Sequence, residues 1–167
     1  MEEKQFFVGF AKGAVNPPMG IKIPGHGFMP RPAEGIIDDL HIYALAFSDG
    51  ENKAILFNVD SLGVITAGGE RIRQKVAARC EIPVENVFLA CTHCHTAMWV
   101  GGDVNDPEDP EAWRSYYGHQ DNLFCDLAQF AMEDLKPATM KIARGEVKGV
   151  GFIRRFKMAD GTLKTTP

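Results

Sequence analysis

Between Cys91 and His95 the chain reads Cys-Thr-His-Cys-His, so two of its five histidines and two of its four cysteines fall in one short run. The run follows the apolar stretch Asn-Val-Phe-Leu-Ala from Asn86 to Ala90 and precedes Gly101-Gly102, as where a buried strand gives way to a loop. Side chains on an extended segment alternate faces, so Cys91, His93 and His95 are expected to share one side. Two imidazoles aimed into one cleft suit metal binding or proton transfer, and strand ends are where α/β proteins gather such groups. The plainer alternative is a pair of histidines making polar contacts near the surface.

Cys91-x-x-Cys94 opens two further readings. A structural zinc site needs a second ligand pair at similar spacing, which the sequence lacks. A dithiol redox motif ordinarily opens a helix, whereas Thr96-Ala97-Met98 runs on into glycines and a proline-rich loop. Cys91 is therefore read as a core residue and Cys94 as a packing residue.

Three other features bear on chemistry. Asp60 closes the apolar run Ala-Ile-Leu-Phe-Asn-Val-Asp. Beside the histidine strand it would lie near His93 and hold its tautomer; alternatively, with Ser61, it caps a turn. Arg154-Arg155 interrupt an apolar run, so alternation turns one guanidinium inward, where it needs an anion; the alternative is an exposed pair. His26, His41 and His119 stand singly and read as structural. The sequence contains no Gly-x-x-x-x-Gly-Lys loop, dinucleotide fingerprint, Gly-x-Ser-x-Gly or His-Glu-x-x-His.

The elements that must position these residues are legible from periodicity. Gln5–Val15 reads as a first strand, and Asn16–Gly35, with five Pro and four Gly, as a long loop. Two β-prone runs, residues 36–47 and 53–60, flank Asp49-Gly50 as a hairpin. Residues 68–80 form a helix on Ile72, Val76 and Cys80. A longer helix runs from Glu111 to Leu135, with Trp113, Tyr117, Leu123, Leu127, Phe130 and Ala131 as its buried stripe and Pro137 closing it. Residues 139–147 and 151–156 read as strands, with Asp160-Gly161 as a turn. This alternation predicts an α/β layered fold, a mixed β-sheet with helices packed on it, as one domain over residues 1–167 whose C-terminal side is incomplete.

Composition bounds the function. With 167 residues, 45% hydrophobic and 24% charged, the chain can bury a core. Its net charge of −4 gives no electrostatic case for nucleic acid, and its acidic residues read as solvated faces. No signal-peptide pattern opens the chain and no apolar run approaches the ~18 residues of a membrane span, so a cytoplasmic protein with reduced thiols is expected.

The order of the pieces carries a resemblance. Phe-Asn-Val-Asp-Ser-Leu-Gly-Val, a helix, Glu-Asn-Val-Phe-Leu-Ala-Cys-Thr-His-Cys-His-Thr, a long helix ending Leu-Lys-Pro-Ala, then Arg-Gly-Glu-Val and Phe-Ile-Arg-Arg-Phe resemble the N-terminal catalytic domain of the neutral/alkaline (non-lysosomal) ceramidases. The resemblance runs from Val8 to the end of the chain and is strongest from Asn86 to His95. It implies a zinc-dependent hydrolase of an N-acyl amide bond. Carried over residue by residue, it makes His93 a zinc ligand, His95 a contact to the reacting group, and Arg154 a substrate-site residue. The family's Asp at the end of the earlier strand matches Asp60, and in the complete hydrolase the long loop that carries His26 is expected to form part of the substrate rim. Cys94, Thr96 and Ala97-Met98 depart from the family's Thr, Ser and Gly-Pro, and Ile153 from its Asn. The family's remaining ligands, a second His, a Glu and a Tyr, would lie beyond residue 167. The partners implied are a small-molecule or lipid amide substrate and the remainder of the chain's own catalytic domain. The alternative is a catalytically inactive binding or scaffold module that keeps the fold.

Overall fold

The computed structural model describes residues 5–26, 31–105 and 110–165. In chain order the elements are β1 (Phe7–Ala14), β2 (Lys22–Ile23), β3 (Arg31–Pro32), β4 (His41–Ser48), β5 (Lys53–Val59), α1 (Thr66–Cys80), β6 (Val87–Cys91), α2 (Glu111–Glu133), β7 (Lys136–Pro137), β8 (Phe156–Lys157) and β9 (Leu163–Lys164). The main sheet has five strands in the order β6-β5-β4-β1-β7. β1, β4 and β5 form an antiparallel meander, while β5 and β6 run parallel, with Ile55 opposite Val87 and Val59 opposite Cys91. The crossover between the parallel strands contains α1, as a parallel pair requires. The expected α/β class with a mixed sheet is observed.

Strand alternation sets the core. Ile42, Ala44 and Ala46 on β4 and Ile55, Phe57 and Val59 on β5 are buried, their neighbours in sequence less so. Facing them, α1 buries Ile72 and Val76, and α2 buries Tyr117, Phe124, Leu127, Ala128 and Ala131. Phe57 meets Phe124 edge to face with centroids 5.0 Å apart. Burying each of these rings contributes about 1.5–3 kcal/mol. At α2 the expected stripe needs one correction: Phe124 is buried and Phe130 is 56% exposed, because the register of the helix turns Phe130 off the sheet.

Other expectations shift at the edges. The first hairpin strand begins only at His41, leaving Ile36 and Ile37 exposed outside it. The long loop carries the small β2–β3 pair; residues 27–30 of it, and 106–109 of the Gly101–Pro110 loop, lie outside the described residues. The strands expected at 139–147 and 151–156 are not formed. Residues 139–155 lack regular structure and are exposed, Phe152 at 80%, because no described strand pairs with them and their alternation has nothing to bury against. Beyond them, β8 and β9 pair around the expected Asp160-Gly161 turn. No helix among the described residues is long and apolar enough to cross a membrane.

Candidate active site at the ends of the parallel strands

Because β5 and β6 are parallel and end level, the residues that follow them leave the sheet side by side. The two segments stay joined: Thr92 N donates to Val59 O, Cys94 N to Ser61 O, Leu62 N to Met98 O and Val100 N to Gly63 O. Asp60 ties the strand ends together. Its Oδ2 accepts from His41 N at 3.1 Å and its Oδ1 from Thr92 Oγ1 at 3.3 Å. The group that meets His93 Nδ1 is the Leu62 carbonyl, at 2.6 Å.

The strand ends at Cys91, so simple alternation does not govern the histidines. His93 takes φ +60°, in the left-handed region that side chains other than glycine seldom occupy. This turn brings the His93 and His95 rings together, edge to face, with centroids 4.8 Å apart and Nε2 atoms 3.3 Å apart. His95 Nδ1 contacts the Gly25 carbonyl at 2.5 Å. Gly25 itself has φ +101°, and a Cβ there would lie 3.2 Å from His95 Nδ1, so glycine lets the long loop approach the ring. His26, the next residue, places its ring edge to face with His95 at 5.8 Å.

Beside the histidines lies a cleft of about 820 Å³, walled by Met19, Ile23, Arg31 and Ile36 from the long loop and by Asp60 and Cys94 from the strand ends. Its wall mixes apolar Met19, Ile23 and Ile36 with charged Arg31 and Asp60, and the histidine rings themselves are not among its lining residues. The structure thus gathers His26, His93 and His95 into one cluster, with Asp60 attached through Thr92. Arg154 lies exposed in the segment without regular structure and takes no part in this network among the described residues. No group of three or more His, Cys, Asp or Glu among the described residues is placed to hold a metal.

Two backbone acceptors, the carbonyls of Leu62 and Gly25, escape sequence reasoning because they leave no side-chain signature; only Gly25 hints at one. A third feature was misread from composition. Asp121 is not a solvated acid but 1% exposed, bonded to Arg71 Nε at 2.9 Å and Lys75 Nζ at 2.8 Å. Arg71 Nη2 also donates to Gly102 O, and Gln120 Nε2 to Trp99 O, so the two helices grip the loop that follows the histidines. At the start of α1 a Cβ on Gly68 would fall 1.5 Å from Gly101 O, which fixes how closely that loop sits.

All four cysteines are free. Cys91 is half-buried at the end of β6, and Cys94 Sγ lies 3.1 Å from Thr96 Oγ1. Cys80 and Cys125 sit on the facing helices, where burial pushes both thiols up and keeps them from the reactive thiolate form.

No protein-family model matches the sequence, and no curated protein matches it. Among solved structures the chain is similar to a neutral ceramidase from Pseudomonas aeruginosa, with a TM-score of 0.59 and 16% identity over 81% of this chain and 23% of that one. It is similar in the same degree to a ceramidase complexed with C2, at TM-score 0.59 and 16% identity over 80% of this chain and 22% of that one. The chain spans less than a quarter of either structure. The likeness is one of fold.

Proposed function

We propose that this chain forms the N-terminal part of a metal-dependent hydrolase of N-acyl amide bonds, acting on a lipid or other small amide. One observation carries the reading: His93 and His95 meet Nε2 to Nε2 at 3.3 Å, each ring held through Nδ1 by a backbone carbonyl, where two parallel strands end beside a cleft. The fold shared with neutral ceramidases supports it.

The donor set suits zinc. A carbonyl oxygen can only accept, so Nδ1 is the protonated nitrogen of each neutral ring and Nε2 carries the lone pair. Metal-ligating histidines are held in this way by their surroundings. His93 would hold the ion. Zinc, when bound, is a Lewis acid that makes hydroxide available near neutral pH. His95, in the same spot, would face the reacting group, while Asp60 keeps the strand ends aligned through Thr92 and His41. His26 and the long loop form the rim, and the cleft takes the acyl chain. Arg154 would contact a polar part of the substrate. The cytoplasmic setting expected from the sequence is kept here as part of the proposal, and the four free thiols agree with it.

The test is hydrolysis of a fluorogenic N-acyl amide by the full-length protein. Activity should disappear with a chelator, return with zinc and be absent in His93→Ala. A correctly folded, zinc-loaded protein that hydrolyses no N-acyl amide would leave the binding-module reading in its place.

A further inference from the structure

We infer that Gln120, in the middle of α2, is a positioning residue for the histidine site: it fixes the loop that holds the Leu62 carbonyl against the His93 ring. The inference rests on the reading that His93 and His95 carry the chemistry, and it adds a residue that bonds to neither of them.

Gln120 is 1% exposed and stands on the buried face of α2, one turn from Tyr117 and one from Phe124. An amide buried among apolar side chains costs free energy unless both of its ends are bonded, and a methionine of similar length would fill the space without that demand. Both ends are used here, and on one short stretch of loop. Nε2 donates to Trp99 O at 3.1 Å, and Oε1 accepts from Gly101 N at 3.4 Å. A carbonyl and an N–H two residues apart are what one residue of a parallel neighbouring strand would bond, so this single side chain grips the loop as a strand would.

The loop passes the constraint on. It is laddered to the segment that follows β5: Leu62 N donates to Met98 O at 3.1 Å, and Val100 N to Gly63 O and Ile65 N to Val100 O, both at 2.9 Å. The Leu62 carbonyl lies in the chain between the first two of these bonds, and it meets His93 Nδ1 at 2.6 Å. The Trp99 ring covers Gly63, where a Cβ would fall 2.5 Å from it, so the loop cannot slide without displacing that segment. Hydrogen bonds thus run from the α2 amide to the loop, from the loop to residues 62–65, and from Leu62 O to the ring. Arg71 also holds the loop, through Gly102 O, but it is tied to the Asp121 charge. Gln120 is uncharged and can be exchanged without stranding an ion.

Gln120→Met tests this in the full-length protein labelled with ¹⁵N-histidine, the His93 ring signals being assigned by their absence in His93→Ala. Well below the melting temperature, the His93 Nδ1–H proton should move upfield and exchange faster with water than in the wild type, because its acceptor is no longer held. On a fluorogenic N-acyl amide kcat should fall about 10²-fold with little change in KM, as a ring misplaced by about 1 Å requires. Phe124→Leu, a core change one turn away that removes no loop hydrogen bond, controls for lost stability: it should lower the melting temperature and leave both readings at wild-type values. If Gln120→Met does not fold, Gln120→Asn, whose shorter amide falls short of Trp99 O, takes its place. A folded variant that keeps the wild-type His93 signal, or the wild-type kcat, overturns the inference and leaves Gln120 a structural amide. If the wild type itself hydrolyses no N-acyl amide, the proposed function falls, and the His93 signal alone decides the role of Gln120: displaced, it stands; unmoved, it is overturned.

Discussion

His93 Nε2 and His95 Nε2 lie 3.3 Å apart although the strand that leads to them has already ended at Cys91. What joins them is a left-handed residue, φ +60° at His93, together with the Leu62 and Gly25 carbonyls that hold the two rings. A side chain other than glycine in that region costs roughly 1–2 kcal/mol. The cost sits at the residue with the clearest chemical use, where strain is ordinarily retained for function.

That strain makes the first prediction. Glycine usually destabilises relative to alanine, by about 0.5–1 kcal/mol in regular structure. At position 93 the order should be reversed or level, because alanine keeps the strain and glycine removes it. Urea unfolding of His93→Gly and His93→Ala compares them directly. A glycine variant less stable than the alanine one by about 1 kcal/mol would mean that the backbone at 93 is not held left-handed.

Asp121 should prove indispensable to the fold. It is the buried partner of two cations, Arg71 and Lys75, on the opposite helix. Asp121→Ala leaves Arg71, which also reaches Gly102 O, without its counter-charge, and because Arg71 and Lys75 are partly solvated it should cost about 2–3 kcal/mol. Asp121→Asn keeps an acceptor and should cost less. Chemical denaturation measures both, and a loss within about 0.5 kcal/mol for Asp121→Ala would show the contact to be idle.

Much of this architecture was legible and the rest was hidden for identifiable reasons. Ile72 and Val76 announced α1 by their spacing, and the Asp49-Gly50 turn announced the β4–β5 hairpin, because both signals are local. His93 and His95 stood out by type. Their contact was foreseen for the wrong reason, since strand alternation was assumed where a left-handed turn operates. Asp121 looked solvated because its partners lie 50 and 46 residues away in sequence. Ile142, Val147 and Ile153 suggested strands, yet alternation makes a strand only where a neighbour supplies hydrogen bonds and a face to cover.

Alkaline pH should unfold the protein through Tyr116. Its hydroxyl donates to Val15 O at 2.6 Å, and burial pushes its pKa up to about 12 from 10.0. The folded state therefore keeps a proton that the unfolded state releases. Stability from this group is whole below pH 10 and is lost progressively between pH 10 and about 12, by about 3 kcal/mol at most. Melting temperatures of the wild type should fall across that window, and those of Tyr116→Phe should fall less steeply from a start lower by about 1 kcal/mol for the lost hydrogen bond. Parallel slopes in the two proteins would exclude Tyr116 as the source.

Gly25 ties the long loop to the site, and its replacement should separate the site's integrity from the fold's. Gly25→Ala places a Cβ 3.2 Å from His95 Nδ1 on a backbone at φ +101° that alanine rarely adopts. The loop should shift and withdraw its carbonyl from the ring. Backbone strain of this kind costs about 1–3 kcal/mol. Here it falls on a segment outside the five-stranded sheet, so the loop can relax locally and the melting temperature should change little. Turnover of an N-acyl amide by the full-length protein should nonetheless drop, by about 10²-fold, because His95 would then meet the reacting group without its anchor. Hydrolysis rates beside thermal melting read both. Unchanged turnover would show that His95 is held without the Gly25 carbonyl, and a large fall in melting temperature would show that the loop belongs to the core and not only to the site.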